Sequence, residues 1–210
     1  MQRVDSLKCL SGLTTADDLF TSAVGIIWDD WWNHRPGGAD NTFSPAAIGS
    51  VSALALGLAI ARPNRRVIAL DTDGSLLMNT GILCTLGAER PGNLTIMVLD
   101  NGIYESIGGT NVVGGPATHT SRRSDLARMA EAAGCDLTAT VTDLHEFSEQ
   151  AEAYLTDDRF GYLVARVDKE RHHWPPEKRK PTDGVEDKYR FIRHIEAIEG
   201  ITVHRALGKR

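Results

Sequence analysis

From Ser44 onward the chain alternates two hydrophobic rhythms. Short, nearly all-apolar runs at Val67–Leu70, Leu94–Leu99 and Gly161–Val167 predict strands covered on both faces, and Asp136–Val141 predicts another. Between them lie longer stretches of helical spacing. Ala46–Arg62 predicts a helix closed by Pro63-Asn64, and Ser75–Arg90 one stopped by Pro91-Gly92. Ser124-Asp125 caps a third through Ala133, ended by Gly134, and Asp143–Leu155 predicts a fourth. Helix and strand in alternation predict an α/β domain around a parallel sheet. The composition changes after Asp168. Residues 169–184, rich in Pro, Lys and Glu, read as a linker or an arm wrapping a neighbour. Asp187–Ile198 then predicts a short amphipathic helix with Phe191, Ile192, Ile195 and Ile198 on one face. The division is therefore a domain over residues 1–168 and an appendage over 169–210, packing on that domain or on a partner.

Composition narrows the function classes. Of 210 residues, 41% are hydrophobic and 24% charged, a globular balance, and the net charge of −5 gives no reason to expect nucleic acid. No segment reaches the roughly 18 apolar residues of a membrane span. The small-residue run from Ala46 to Ala61, broken by Gly49, Ser50, Ser52 and Gly57, reads as a closely packed buried helix. Cys9, Cys84 and Cys135 cannot all pair and lack metal-site spacing, which predicts reduced thiols in a cytoplasmic protein.

The candidate chemistry begins at Ala69–Leu77, "ALDTDGSLL", where two carboxylates end an apolar run and a Gly-Ser step opens a helix. One reading is phosphoryl transfer, since Asp-x-Asp-Gly-Ser resembles the first motif of haloacid-dehalogenase-like hydrolases. That chemistry also requires a hydroxyl ending a second strand, a lysine and a later acidic pair at a strand end. The next strand ends in Leu99-Asp100-Asn101, and Asp157-Asp158 lies between a helix and a strand. The other reading is a magnesium clamp. A hard cation takes oxygen ligands and keeps a substrate's phosphates among them. Asp73 offers a carboxylate at one strand end, and Asn101, 28 positions on, an amide oxygen at the next. Neighbouring parallel strands bring those ends together at the sheet edge where ligands bind. The backbone carbonyl of Ile103 completes the protein's share, and the N–H groups of Gly74 and Ser75 face a phosphate.

The run "DTDGSLLMNTGILCTLGAERPGNLTIMVLDNGIYESIGG" resembles the cofactor signature of thiamine diphosphate enzymes, a Gly-Asp-Gly followed further on by Asn-Asn. The family's aspartate matches Asp73 and its second asparagine matches Asn101. Thr72 replaces the first glycine and Asp100 the first asparagine; neither is an expected metal ligand, though Thr72 adds a Cβ near the phosphates. The earlier run "AAIGSVSALALGLAIARPNRRVIALD" fits as well. By position the resemblance assigns Gly49 and Ser50 to the diphosphate and Ile48 to the bulky prop beneath the bent cofactor. It covers Thr21 to Asp168, and "NGIYESIGG" and "GPATHTSRRSDLARMAEAAG" resemble the branch decarboxylating phosphonopyruvate and sulfopyruvate.

What the resemblance implies is a three-layer α/β/α fold with a central, mostly parallel sheet, holding thiamine diphosphate and Mg2+. It implies conversion of a small 2-oxo acid to an aldehyde and CO2. Such enzymes also need a pyrimidine-binding domain with an activating glutamate, and 45 residues before Ala46 are too few for one. The expectation is a heteromer, two-plus-two or a multiple, with a separate pyrimidine-binding subunit. Tyr104, also beside the cofactor, and Glu105 follow the metal loop and are candidates at the reacting centre, Glu105 as a proton relay. His119, ending the Gly-rich stretch Gly102–His119, is a further candidate. In "IIWDDWWNHRPGGADNTF" the residues Trp28, Trp31, Trp32, His34 and Arg35 predict either a substrate-pocket wall or a partner contact. Trp28, His34 and Arg35 are the substrate candidates, Arg35 for an anion. Three other functions stay open: carboligation, a non-catalytic cofactor-binding subunit, and an oxidoreductase passing electrons to an iron–sulfur subunit, for which the cysteines give no grouping.

Overall fold

The computed structural model describes residues 1–35, 39–105, 115–169, 174–180 and 183–203. Six strands form one all-parallel sheet: β1 (Leu19–Ser22), β2 (Thr42–Phe43), β3 (Val67–Thr72), β4 (Leu94–Asp100), β5 (Leu137–Val141) and β6 (Gly161–Arg166). Their order is β2-β1-β3-β4-β6-β5. Helices α1 (Arg3–Leu13), α2 (Ile26–His34) and α7 (Leu144–Thr156) pack together on one face. Helices α3 (Val51–Ala61), α5 (Ile82–Glu89) and α6 (Leu126–Ala132) form the other layer. The short α4 (Asp73–Leu77) follows β3 at the strand ends, and α8 (Gly184–Glu199) closes the described chain. The architecture is the expected three-layer α/β/α.

Core strands read as their sequence requires. Every residue of β4 is buried, as are Val67–Asp71 of β3, because helices cover both faces. Asp125 and Asp143 cap α6 and α7 by accepting from the N–H of Arg128 and Glu146. Gly134 takes a φ of +98° just past α6.

Three predicted helices change their limits. The first starts at Val51, five residues later than expected, because Ala46 and Gly49 take φ of +52° and +85°, which a helix cannot hold. The second is split. Asn79 donates its side-chain amide to the Gly49 carbonyl at 2.9 Å, and the chain turns through Thr80-Gly81 before α5 starts. The last is longer than Asp187–Ile198, since Asp183 caps it by accepting from Val185 and Glu186, and Gly200 ends it in the left-handed region.

Two of the expected surface tryptophans turn into the chain's own core. Trp28 and Trp31 lie in the core, Trp31 against Phe20 at 4.7 Å with its indole N–H donated to Thr42 Oγ1 at 2.9 Å. Trp32 is half-buried beneath Arg190 and Lys180. They fasten α2 to the sheet and receive the C-terminal segment. That segment runs back over its own domain: Lys178 O accepts from Asn33, Lys180 N–H reaches Asp29, and Lys180 Nζ pairs with Asp187. Helix α8 lies along edge strand β2, stacking Phe191 on Phe43 at 6.0 Å, which covers the unpaired edge.

Candidate cofactor and metal site

The parallel register sets Thr72 opposite Leu99, so the residues that follow, Asp73 and Asp100, stand level where β3 and β4 end. Asp73 opens α4, is fully buried, and accepts from Thr118 Oγ1 at 2.6 Å through Oδ2, with Thr120 Oγ1 lying 3.3 Å from the same oxygen. Its other oxygen, Oδ1, is buried and meets no hydrogen-bond donor among the described residues. Burial, with the charge of neighbouring Asp100 adding to it, pushes the Asp73 carboxyl up to about 6. Asp100 Oδ1 accepts from Thr120 Oγ1 at 2.7 Å and the Gly102 N–H at 3.0 Å. Its Oδ2 lies 3.1 Å from Arg166 Nη1, close enough to pair charges yet outside hydrogen-bond alignment.

Asn101 turns its amide nitrogen to Glu105 Oε1 at 2.8 Å, and its Oδ1 accepts from the Ile103 N–H at 3.0 Å, leaving that oxygen a second lone pair. Residues 106–114 of the Gly-rich stretch lie outside the described residues. The two sides of that stretch are tied together. Ile103 bridges Ala117, Tyr104 N–H donates to Pro116 O at 2.8 Å, and Thr118 N–H donates to Gly102 O at 2.9 Å. This clasp carries Thr118 and Thr120 to Asp73.

The turn before α3 meets the start of α4. Gly49 N–H donates to Ser75 Oγ at 3.1 Å, and a Cβ on Gly49 would stand 3.3 Å from Asn79 Cβ. A Cβ on Gly74 would meet the Tyr104 ring at 2.9 Å, so the absence of a side chain lets that ring close over the turn. Ser50 Oγ bonds the Ala47 carbonyl at 2.7 Å, and Ile48 stands half exposed beside them. Ser75 N–H is donated to Thr72 Oγ1 at 3.3 Å, so the expectation that it faces a phosphate is corrected: Thr72 caps α4 with it. Asp71 lies deeper, with Oδ2 on Ser52 Oγ at 2.7 Å, a structural partner of α3.

The structure therefore brings Ile48, Gly49, Ser50, Asp73, Gly74, Ser75, Asn101, Ile103, Tyr104 and Glu105 to one end of the sheet. The other candidates differ in their placement, and His119 lies between Thr118 and Thr120 at this same end. His119 opens a short 3-10 turn with its side chain exposed, its carbonyl accepting from Arg122, Arg123 and Ser124. Arg35 is at the opposite sheet edge. It is buried, donates to Asn41 Oδ1, Thr14 Oγ1 and the Thr15 carbonyl, and lies over Phe20 and Trp31. His34 is 5.6 Å from the Trp174 ring, and Trp28 is buried with Lys180 Nζ 4.5 Å from its ring centre. Sequence reasoning missed Thr118 and Thr120, whose Thr-x-Thr spacing was a usable signal, and Arg3, for which there was none.

Oxygen donors gathered where adjacent parallel strands end, one of them buried with an unengaged oxygen, place this chain in a class: α/β proteins whose ligands sit at the carboxyl ends of a parallel sheet. A family model described as "Thiamine pyrophosphate enzyme, C-terminal TPP binding domain" matches residues 26–165, and the chain belongs to that family. The sulfopyruvate decarboxylase subunit beta of Methanococcus maripaludis is 30% identical over 198 residues, 93% of this chain and 98% of that one. Its counterpart from Methanocaldococcus jannaschii is 28% identical over 166 residues, 79% and 84% of the two chains. Phosphonopyruvate decarboxylase of Streptomyces viridochromogenes is 38% identical over 112 residues, 53% of this chain but 26% of that protein. Among solved structures, benzoylformate decarboxylase from Polynucleobacter necessarius shares the fold with a TM-score of 0.63 at 19% identity. That match covers 84% of this chain and 33% of the longer one, so the chain spans a third of it.

Proposed function

We propose that this chain is the diphosphate- and magnesium-binding subunit of a thiamine diphosphate-dependent 2-oxo acid decarboxylase, releasing an aldehyde and CO2. The observation that carries this reading is the pairing of Asp73 and Asn101 at adjacent strand ends, in a chain alignable along nearly its whole length with subunits named beta. The residues present fit the metal. Buried Asp73 Oδ1 has no donor among the described residues, and Asn101 Oδ1 keeps a lone pair, which suits an oxygen-seeking cation.

Asp73 and Asn101, with the Ile103 carbonyl, would hold Mg2+. Gly49, Ser50, Gly74 and the Ser75 hydroxyl would receive the diphosphate, the Ser75 N–H being taken by Thr72, and Ile48 would support the cofactor from below. Thiamine diphosphate, when bound, supplies the electron sink that lets a 2-oxo acid lose CO2. This chain's own work is orientation and charge. Thr118 would hold one Asp73 oxygen so that the other is presented, and Tyr104 closes over Gly74.

A separate pyrimidine-binding subunit completes the site in this reading, in a two-plus-two assembly or a multiple. Ile48 and Met78, both about half exposed beside the Gly49 turn, give such a partner an apolar edge to cover. No described helix is long and apolar enough to cross a membrane, and Cys9, Cys84 and Cys135 are free, which suits a reducing cytoplasm.

The test is co-purification from the native host in magnesium and thiamine diphosphate, with mass spectrometry of the partner chains. Products from 2-oxo acids, including sulfonated and phosphonated ones, are then measured with and without an acceptor aldehyde. A stoichiometric pyrimidine-domain partner and an aldehyde product are expected. Turnover only with the acceptor would make the enzyme a carboligase, and no turnover in the complex would sink the catalytic reading.

A further inference from the structure

Arg3, at the start of α1, is buried although it carries a charge that costs several kcal/mol to desolvate unless it is compensated. It is compensated twice. Its Nε donates to Asp30 Oδ2 at 2.8 Å, and its Nη1 donates to Glu105 Oε1 at 3.0 Å. Asp30, fully buried in α2, has its second oxygen taken by Trp174 Nε1 at 2.7 Å. Glu105 Oε1 also accepts the side-chain amide of Asn101 at 2.8 Å. A continuous chain of side chains thus runs from Trp174 through Asp30, Arg3 and Glu105 to Asn101.

A carboxylate can only accept, so Glu105 fixes which way the Asn101 amide is turned. The nitrogen must face Glu105, and the carbonyl oxygen must face the other way. We propose that Glu105 is a positioning residue for the metal ligand Asn101, anchored by the buried Arg3–Asp30 pair, rather than a group that moves protons at the substrate. The inference rests on the reading of Asn101 as a magnesium ligand and assigns that site a support outside the family signature. Outer-shell partners of this kind change metal affinity by roughly 10–100-fold when removed.

Both donors converge on the same Glu105 oxygen, and this gives a discriminating pair of variants. In Glu105→Gln the Oε1 acceptor stays in reach while the charge and the proton-carrying capacity are lost. In Glu105→Asp the charge stays and the reach shortens by one methylene. The chain assembled with its co-purified partner subunit is titrated with Mn2+ in the presence of thiamine diphosphate, with free Mn2+ read by electron paramagnetic resonance. Steady-state rates are measured on the same samples, and circular dichroism checks folding. The expected order of Mn2+ affinity is wild type, then Glu105→Gln within about threefold, with Glu105→Asp and Glu105→Ala weaker by about 10–100-fold. Proton relay would give the reverse signature: unchanged Mn2+ affinity throughout, and kcat lost in Gln but partly kept in Asp. Affinity falling equally in Gln and Ala would also overturn the proposal, since charge rather than contact would then matter. If Ala does not fold, the Gln and Asp variants decide alone. A wild type that binds no Mn2+ would refute the metal site itself, and the inference with it, whereas a binding wild type confines failure to Glu105.

Discussion

Replacing Asp73 by asparagine separates what the carboxylate costs the fold from what it provides to the metal. In the metal-free chain its ionisation is opposed by burial and by Asp100 beside it, which pushes its carboxyl up to about 6 from 3.8. Each unit corresponds to 1.36 kcal/mol, so the charged form costs the fold at most about 3 kcal/mol at pH 7. The sign follows from proton counts. Between about pH 4 and 6 the folded chain holds a proton that the unfolded chain has lost, so this contribution to stability falls as pH rises. Asparagine removes it and can turn its amide nitrogen toward Asp100. It weakens the Thr118 bond from charge-assisted to neutral, a loss of about 1 kcal/mol. The net gain is about 2 kcal/mol, or roughly 4–8 °C in Tm for a chain of this size.

Thermal unfolding in EDTA at pH 7.5 should therefore show Asp73→Asn above wild type, with the gap closing toward pH 4. With magnesium and thiamine diphosphate at a hundred times their Kd, wild type gains about 2.7 kcal/mol and the variant gains nothing. The order of the two Tm values then reverses or closes. A variant less stable than wild type in EDTA, or one that responds equally to magnesium and cofactor, would refute the reasoning.

Three further outcomes are expected. Arg35→Met removes the shortest donors to the Thr15 carbonyl and Asn41 Oδ1 and leaves them only longer contacts, so the urea midpoint should fall by an equivalent of about 1–3 kcal/mol; a raised KM at unchanged stability would instead restore a substrate role. Gly49→Ala forces a side chain into φ of +85° against Asn79, costing about 1–2 kcal/mol, readable as a lower Tm. Burial, with Asp136 nearby, pushes the Cys135 thiol up to about 11, so alkylation at pH 8 should label exposed Cys84 first, and peptide mapping that finds Cys135 labelled as fast in the folded chain would contradict it.

The buried strands, and the placing of Asp73 and Asn101 at their ends, were legible because each depends on local pattern. Val67–Leu70 and Leu94–Leu99 are apolar whichever neighbours they have, and Asp73 and Asn101 follow them directly. What stayed hidden depends on contacts far apart in sequence. Strand β1, Leu19–Ser22, and the two-residue β2 are too short to announce themselves, yet β1 pairs with β3, β2 pairs with β1, and α8 lies along the β2 edge. The tryptophan-rich segment looked like a surface for something else, because indoles at that spacing do not say which side is covered. Trp28 and Trp31 face inward, and Asp30 between them finds Arg3 and Trp174, 27 and 144 positions away.

The two departures from the family signature show how local compensation works at such a site. Thr72 looked like an intrusion near the phosphates, but its hydroxyl accepts the Ser75 N–H and caps α4, a bond glycine could not provide. Asp100 sets a second carboxylate beside Asp73, and two buried like charges would repel. Here Arg166 from β6 balances the charge at 3.1 Å, while Thr120 and the Gly102 N–H hold one Asp100 oxygen. Thr118 donates to Asp73 while its near neighbour Thr120 donates to Asp100, so one short loop holds both carboxylates. In our reading the substitution leaves the metal ligand set intact and makes it depend on Arg166. An Arg166→Met change would leave Asp100 uncompensated beside Asp73. It should weaken Mn2+ binding with no ligand altered, provided the fold survives, and equal affinity in that variant would show that the two carboxylates need no counter-charge.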